Sequence, residues 1–120
     1  MNNLLKRIKN GYNGLIRKII IQAMPQNAEI IVSVMDFENN QNWINIKFLL
    51  TEIEAFKIFK APKTSNTVLY QGISLLEVND LFYVVFSPYC DEIENLEEVR
   101  KSDIYFGCKG IFCDILPYEE

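Results

Sequence analysis

The chain contains 120 residues, 49% of them apolar and 23% charged, and carries a formal net charge of −4. These values predict one globular domain, residues 1–120, with a single hydrophobic core. The acidic balance disfavours a nucleic-acid-binding protein, because contacts to phosphates need clustered Lys and Arg. The apolar runs are too short for a transmembrane helix, and the N-terminus lacks the continuous apolar stretch of a signal peptide, so we expect a cytoplasmic protein.

The chain is predicted to open with a short helix and a strand. Residues 2–9 place apolar side chains at helical spacing, and the asparagines and glycines of residues 10–14 end that pattern. Residues 15–23 could continue the helix if it tolerated two glycines. Three consecutive isoleucines favour a strand instead, because β-branched side chains fit a pleated sheet better than a helix.

The next segments favour consecutive strands. Residues 29–37 are predicted to form an apolar strand, and the polar residues 38–41 a hairpin loop. Residues 43–50 alternate apolar and polar side chains, which is typical of a strand with one buried face. Residues 52–59 fit either a further strand, which we prefer, or one short helical turn. Residues 61–67 have the composition of a loop.

A hairpin and a short helix follow. Residues 68–76 and 81–87 are predicted to form the hairpin, and we expect the second arm to lie centrally because it is apolar on both faces. Residues 91–100 favour a helix with Asp91 as its N-cap and Glu94 three residues later, as in a capping box.

The last element, residues 102–116, is predicted to be one long strand with a kink at Gly107 or Gly110. The elements together indicate an α+β fold. We expect a mostly antiparallel, curved sheet of about six to seven strands. An N-terminal helix would cover part of it, and a short acidic helix would precede the last strand.

The composition disfavours catalysis. The chain has no histidine, which removes the side chain most used as a general base and the commonest ligand of transition metals. Its three cysteines, Cys90, Cys108 and Cys113, form no C-x-x-C pair and are predicted to be buried or half-buried thiols. We therefore predict no catalytic residue, no metal site and no cofactor, and a protein that acts by binding another molecule.

The densest charge feature is the acidic segment 91–98. One interpretation is a solvated helix face whose carboxylates favour the helix N-terminus. The other is a docking surface for a basic protein, since a cationic partner would relieve the repulsion among the carboxylates. Calcium binding is disfavoured because the ligand spacing of a calcium loop is missing. The predicted partner-binding residues are this cluster, one tyrosine beside it and two on the last strand: Asp91, Glu92, Glu94, Glu97, Glu98, Tyr89, Tyr105 and Tyr118.

The first 24 residues are basic and contain no acidic side chain. This stripe allows RNA binding as an alternative, although such charges are more often an ordinary surface on a chain that is acidic overall. RNA binding through Lys6 and Arg7 would weaken steeply with salt. We do not expect a nucleic-acid partner.

Segments 42–48, 81–89, 101–107 and 115–118 resemble small, acidic immunity proteins encoded beside toxins in bacterial polymorphic-toxin and contact-dependent-inhibition loci. The resemblance implies a stoichiometric inhibitor that covers the active site of a cognate basic toxin domain, such as a nuclease. The alternative is a structural or regulatory module that self-associates through its sheet, using an exposed edge such as strand 103–116. We expect a monomer or a weak homodimer.

Overall fold

The computed structural model describes residues 2–12, 14–24, 26–38, 40–58, 67–69, 72–87 and 93–118. The strands within these ranges form one seven-stranded sheet in the order β4–β1–β2–β3–β7–β6–β5, and every neighbouring pair is antiparallel. The predicted α+β fold with a mostly antiparallel sheet is therefore confirmed.

The strand and helix labels refer to the following elements, in chain order: α1 Asn2–Arg7, a 3-10 turn Lys9–Gly11, β1 Leu15–Gln22, β2 Asn27–Asp36, β3 Asn42–Ile58, β4 Thr67–Val68, β5 Ser74–Val78, β6 Leu81–Ser87, α2 Leu96–Lys101 and β7 Ile104–Leu116.

Several local predictions are confirmed. The isoleucine-rich segment that opens the sheet is the strand β1, as its β-branched side chains predicted. Residues 52–58 are also extended, but they continue β3 and are not a separate strand. The φ of Glu52 is 52° and a bulge lies between Ile53 and Ala55, so β3 bends there without ending. The β5–β6 hairpin turns through Asn79 and Asp80, both at positive φ, as a type I′ turn requires.

The hairpin's first arm is shorter than predicted. Within residues 68–76, Val68 belongs to β4 and pairs with β1, whereas Ser74 begins β5 and pairs with β6. β6 also lies second from the edge, not at the centre, which β3 occupies. It is buried on both faces because Val84 enters the main core while Val85 packs in a small second cluster with Val99 of α2.

The sheet bends so that its two ends face each other. Phe48 of β3 lies in the row of Cys113, and Phe86 of β6 lies beside Ile104, which is nine residues nearer the start of β7. In a flat sheet these two side chains would be more than about 25 Å apart, given a rise of about 3.3 Å per residue. Their ring centroids are 5.4 Å apart, so the sheet folds over itself. The predicted curved sheet is confirmed.

The bend divides the sheet into two layers that share β3 and β7. The first layer contains β1, β2, residues 42–50 of β3 and residues 110–116 of β7, and the second contains β5, β6 and the remaining parts of the shared strands. Glu52 and Gly110 lie at the bend. A Cβ added to Gly110 would overlap Thr51 Oγ1, so glycine allows the two shared strands to approach closely there.

The connection between β4 and β5 requires the same curvature. These strands lie at opposite edges of the sheet but are only six residue steps apart, from Val68 to Ser74. Six residues span at most about 22 Å, whereas the edges of a flat seven-stranded sheet are about 29 Å apart. The two edges are therefore drawn toward each other around the core.

The N-terminal helix packs on the inner face of the sheet. Leu5 and Ile8 are buried in the main core. Arg7 donates from Nε to Asp36 Oδ1 over 2.8 Å and from a terminal nitrogen to Oδ2, and the Asp36 side chain is fully buried. The backbone N–H of Phe37 donates to the carbonyl of Arg7. These contacts attach α1 to the β2–β3 hairpin and hold the pKa of Asp36 below its ordinary value, chiefly through the hydrogen bonds from Arg7.

The packing between the layers predicts a large difference between two phenylalanine substitutions. Phe86→Ala removes a fully buried ring from between the layers and should lower the free energy of unfolding by about 3–5 kcal/mol. Phe112→Ala truncates a ring that is 60% exposed and should change the free energy of unfolding by no more than about 0.5 kcal/mol. Urea unfolding measures both values, and equal effects would contradict this interlayer packing.

The Asp36 contacts predict a pH dependence of stability. Because the folded-state pKa is below the unfolded value of about 3.9, ionised Asp36 stabilises the fold above that pH and loses its contribution as the pH falls further. Asp36→Asn should therefore destabilise the protein more at pH 7 than at pH 3 in urea unfolding. The control, Asp114→Asn at an exposed carboxylate, should have a small effect at both values. An Asp36→Asn effect independent of pH would contradict this prediction.

Candidate protein-binding surface

The outer face of the first layer carries side chains that point away from the core. Along β2, Ile30, Val32 and Val34 are buried in the core, so the alternating Ile31 and Met35 lie on the opposite face. Within the described residues both helices pack elsewhere: α1 lies on the inner face, and α2 packs on the second layer. This outer face is therefore left uncovered by both.

Large apolar side chains cluster on this face. The register aligns Ile20, Glu29, Leu49 and Phe112 in one row across four strands, and it places Met35 opposite Trp43. Scattered exposed apolar residues are ordinary, but several large ones on one sheet face are of the kind found at interaction sites. We call the following five exposed residues the outer patch: Ile20, Met35, Trp43, Phe112 and Tyr118.

A polar network crosses the middle of the outer face. Arg17 Nε donates a hydrogen bond of 2.9 Å to Ser33 Oγ, which donates to Asn45 Oδ1. Ser33 is fully buried and Asn45 nearly so, although both lie on the outward side of their strands. A register shift in β1 between Ile16 and Lys18 positions Arg17 at this network. The guanidinium therefore lies across the sheet in a fixed orientation.

The same arginine connects the network to two aromatic rings. A terminal nitrogen of Arg17 donates to the Tyr118 hydroxyl over 3.0 Å, and the guanidinium carbon lies 5.8 Å from the ring centroid. The Tyr118 ring is tilted against Trp43, with 6.1 Å between centroids. Arg, Tyr and Trp are the residue types most enriched among interface hot spots. Here all three meet on the outer face, with Tyr118 just beyond the end of β7.

The acidic helix is shorter than predicted and begins later. α2 is Leu96–Lys101, and its N-cap is Asn95, whose side chain accepts from the backbone N–H of Glu98 over 2.9 Å. The predicted capping pair of Asp91 and Glu94 is therefore wrong for this helix. Asparagine caps as well as aspartate does, and the Glu three residues after the cap is Glu98.

The predicted acidic surface is partly occupied by local contacts. The Glu98 carboxylate accepts a hydrogen bond from the backbone N–H of Glu94. Glu97 Oε1 lies 3.4 Å from Lys101 Nζ in an i,i+4 ion pair. These contacts lie within the acidic segment and α2, and they stabilise the helix locally. Of the other predicted residues, Asp91, Glu92 and Tyr89 lie outside the described part of the chain.

The structure places the two predicted tyrosines of the last strand far apart. Tyr105 is half-buried at the start of β7, in the small cluster beneath α2 with Val85 and Val99. Tyr118 follows the other end of β7 and belongs to the outer patch. Because the layers pack through their inner faces, their outer faces point in opposite directions. The acidic helix and the outer patch therefore lie on opposite sides of the molecule.

The sequence prediction missed most of the outer patch. Alternation correctly assigned Asn45 and Lys47 to the face opposite Ile46 and Phe48, but it showed no partner for them. Arg17 and Asn45 come together only because the strand order places β2 between β1 and β3. The one available signal was Trp43, the only tryptophan of the chain, at the start of an alternating strand.

The thiols occupy the core side of β7. Cys108 is fully buried, and burial raises its pKa to about 11. Cys113 is half-buried, and burial likewise raises its pKa. The predicted buried or half-buried thiols are confirmed for these two residues, and Cys90 lies outside the described ones.

The described residues contain no group of three or more His, Cys, Asp or Glu side chains that could hold a metal ion. No helix among them is long and apolar enough to cross a membrane. No protein-family model, curated protein or solved structure matches the chain. The resemblance to immunity proteins therefore depends on the four sequence segments alone.

The observed N-cap predicts how α2 responds to substitution. Asn95→Ala removes the side-chain acceptor for the Glu98 N–H and should cost about 1 kcal/mol of helix stability. Asn95→Asp keeps an acceptor in place and should preserve that stability. Hydrogen exchange of the α2 amides measures the difference, and equal protection in the two variants would show that Asn95 is not the cap.

Proposed function

We propose that this protein is a non-catalytic, immunity-type inhibitor that binds a cognate bacterial toxin domain through its outer patch. The observation that carries the proposal is the cluster of Arg17, Trp43 and Tyr118 on an uncovered sheet face. The immunity-type assignment comes from the sequence resemblance. The cluster supports a protein partner because its three side chains are suited to dominate a protein interface.

The cluster is organised before a partner arrives. Arg17 is held by Ser33 and Tyr118, and Ser33 is held in turn by Asn45. Ordering an arginine on binding costs side-chain entropy, so an arginine already held by hydrogen bonds loses less. Backbone pairing also holds together the four strands β1, β2, β3 and β7 that carry or flank the outer patch. These features favour a binding surface that changes little when the partner docks.

Charged side chains of both signs lie between the apolar residues of the outer patch. Lys47 Nζ lies 3.8 Å from Glu29 Oε1, and Lys18 and Asp114 lie in the same row of the register as Lys47. These charges suit a partner with both signs of charge and contribute to specificity more than to affinity. The net charge of −4 would still favour approach of a basic toxin domain. The acidic segment, with Glu94 exposed, is a second contact only for a partner that wraps around the molecule.

The proposal assigns the chain a cytoplasmic location and no catalytic residue, metal or cofactor. The proposal of no catalytic residue, metal or cofactor rests on the absence of histidine from all 120 residues. A stoichiometric inhibitor needs only to cover the functional surface of its target. The proposed partner-binding residues are therefore those of the outer patch together with Arg17, and Tyr118 is the one predicted from sequence.

The test is binding to the toxin domain encoded by the neighbouring gene. Trp43→Ala and Tyr118→Ala should each weaken the complex by roughly 30-fold or more, which corresponds to a hot-spot loss of about 2 kcal/mol. The matched control is Tyr12→Ala, at an exposed tyrosine away from the outer patch, and it should bind as the unmodified protein does. Calorimetry measures affinity, and rescue of growth in cells that express the toxin domain measures inhibition.

The same experiment separates the two candidate surfaces. A Glu94→Lys and Glu97→Lys double variant reverses two charges of the acidic segment and changes no residue of the outer patch. If only this variant loses binding, the acidic segment is the interface and the outer-patch proposal is wrong. If the unmodified protein does not bind the neighbouring product and does not protect cells from it, the immunity-type assignment is wrong.

A further inference from the structure

Arg17 is a cation whose hydrogen-bond partners are all neutral. Its Nε donates to Ser33 Oγ over 2.9 Å, and a terminal nitrogen donates to the Tyr118 hydroxyl over 3.0 Å. The residue is half-buried. No carboxylate of the described chain forms an ion pair with it. The positive charge of Arg17 is therefore held in place by hydrogen bonds but is not compensated within the described residues.

The guanidinium also keeps hydrogen-bond donors in reserve. It has five N–H groups, and the bonds to Ser33 and Tyr118 use two of them, which leaves three. None of the described residues accepts a hydrogen bond from these three. They belong to both terminal nitrogens, the pair of atoms that binds a carboxylate with two parallel hydrogen bonds.

The outer face differs in the sign of its charge from the chain as a whole. On its strands three cations and two carboxylates point outward: Arg17, Lys18, Lys47, Glu29 and Asp114. Their sum is +1, whereas the whole chain carries −4. Glu29 already lies 3.8 Å from Lys47. The outer face is therefore the part of this acidic protein that is suited to receive a further negative group.

Covering the outer patch makes that negative group necessary. A partner that buries Trp43 and Tyr118 also removes water from the arginine in contact with them. Burying a charge is unfavourable unless it is paired and its hydrogen bonds are made. A backbone carbonyl would satisfy one N–H group and leave the charge uncompensated. A carboxylate accepts from two N–H groups and compensates the charge as well.

We propose that the partner places an aspartate or glutamate side chain against Arg17, beside the Tyr118 ring. This inference rests on the proposed function, because it takes the outer patch as the docking surface, and it adds the chemistry of the group that docks there. It makes Arg17 a specificity-determining residue, since a partner without a carboxylate at this place would bury the arginine unpaired. A toxin domain that is basic overall meets the requirement with one local carboxylate.

Calorimetric titration with the toxin domain encoded by the neighbouring gene tests the pairing. Arg17→Gln removes the charge and should weaken the complex by about 30-fold or more. The matched control, Lys18→Gln, removes one positive charge from the next, exposed position of β1 and should weaken it by less than about fivefold. Equal effects of the two substitutions would show that only the total charge of the face matters, and would overturn the proposal.

A double-mutant cycle distinguishes pairing from a displaced Tyr118 ring. Each Asp and Glu of the toxin domain is changed singly to Asn or Gln and titrated against the unmodified protein and against the Arg17→Gln variant. One of these changes should weaken binding to the unmodified protein by at least about tenfold and have little further effect on the variant. If every change weakens both complexes by the same factor, no carboxylate meets Arg17 and the proposal is overturned.

A second copy of this chain is the other source of a carboxylate, through Asp114 on the same face. Self-association along the predicted edge strand 103–116 is blocked over residues 104–108, because β6 pairs there and makes β7 an interior strand. Light scattering should give 14.0 kDa for the protein alone. A doubled mass that returns to 14.0 kDa with Arg17→Gln would assign the outer patch to a second copy and overturn the proposal.

A titration with small probes separates failure of this inference from failure of the proposed function. Phenylacetate carries a carboxylate and an aromatic ring, and phenylacetamide is its uncharged counterpart. In NMR spectra at constant ionic strength, phenylacetate should shift the Arg17 Nε–H and Trp43 indole N–H signals more than phenylacetamide does, and Arg17→Gln should remove the difference at Trp43. Equal shifts with the two probes overturn the inference whether or not the toxin domain binds. A larger shift with phenylacetate supports the carboxylate site even where the toxin domain does not bind and the proposed function fails.

Discussion

The rest of the structure depends on the bend that β3 and β7 share. Both strands run through it, so the two layers are continuous with each other. The positive φ of Glu52, the bulge that follows and the close approach of Gly110 to Thr51 allow the strands to turn without ending. The turn brings Phe48 against Phe86 and creates a closed core. A flat sheet of the same strands would leave its apolar face to the solvent.

The bend also explains which surfaces are free. Folding the sheet over itself buries the inner faces of both layers and requires only α1 to cover the open side, where the Arg7–Asp36 contacts attach it. α2 then covers the outer face of the second layer. The outer face of the first layer is left with its apolar side chains exposed. The candidate binding surface is thus the sheet face that neither of the two short helices covers.

Much of the secondary structure was determined by the sequence alone. β-branched residues specified β1, and alternation specified the first half of β3, because these signals act within a few residues. Residues 77–80 were predicted to join the hairpin arms, but Glu77 and Val78 belong to β5 and only Asn79 and Asp80 form the turn. The start of α2 was misplaced because asparagine and aspartate are equivalent as caps, and Asp91 came first. The strand order could not be predicted from the sequence, since it depends on pairing between distant segments.

Only the tertiary structure could bring Arg17, Ser33, Asn45 and Tyr118 together, because their contacts span up to 101 positions of the chain. It also decided that Tyr105 would pack beneath α2 while Tyr118 stayed exposed, since local alternation cannot say which face of a strand another element will cover.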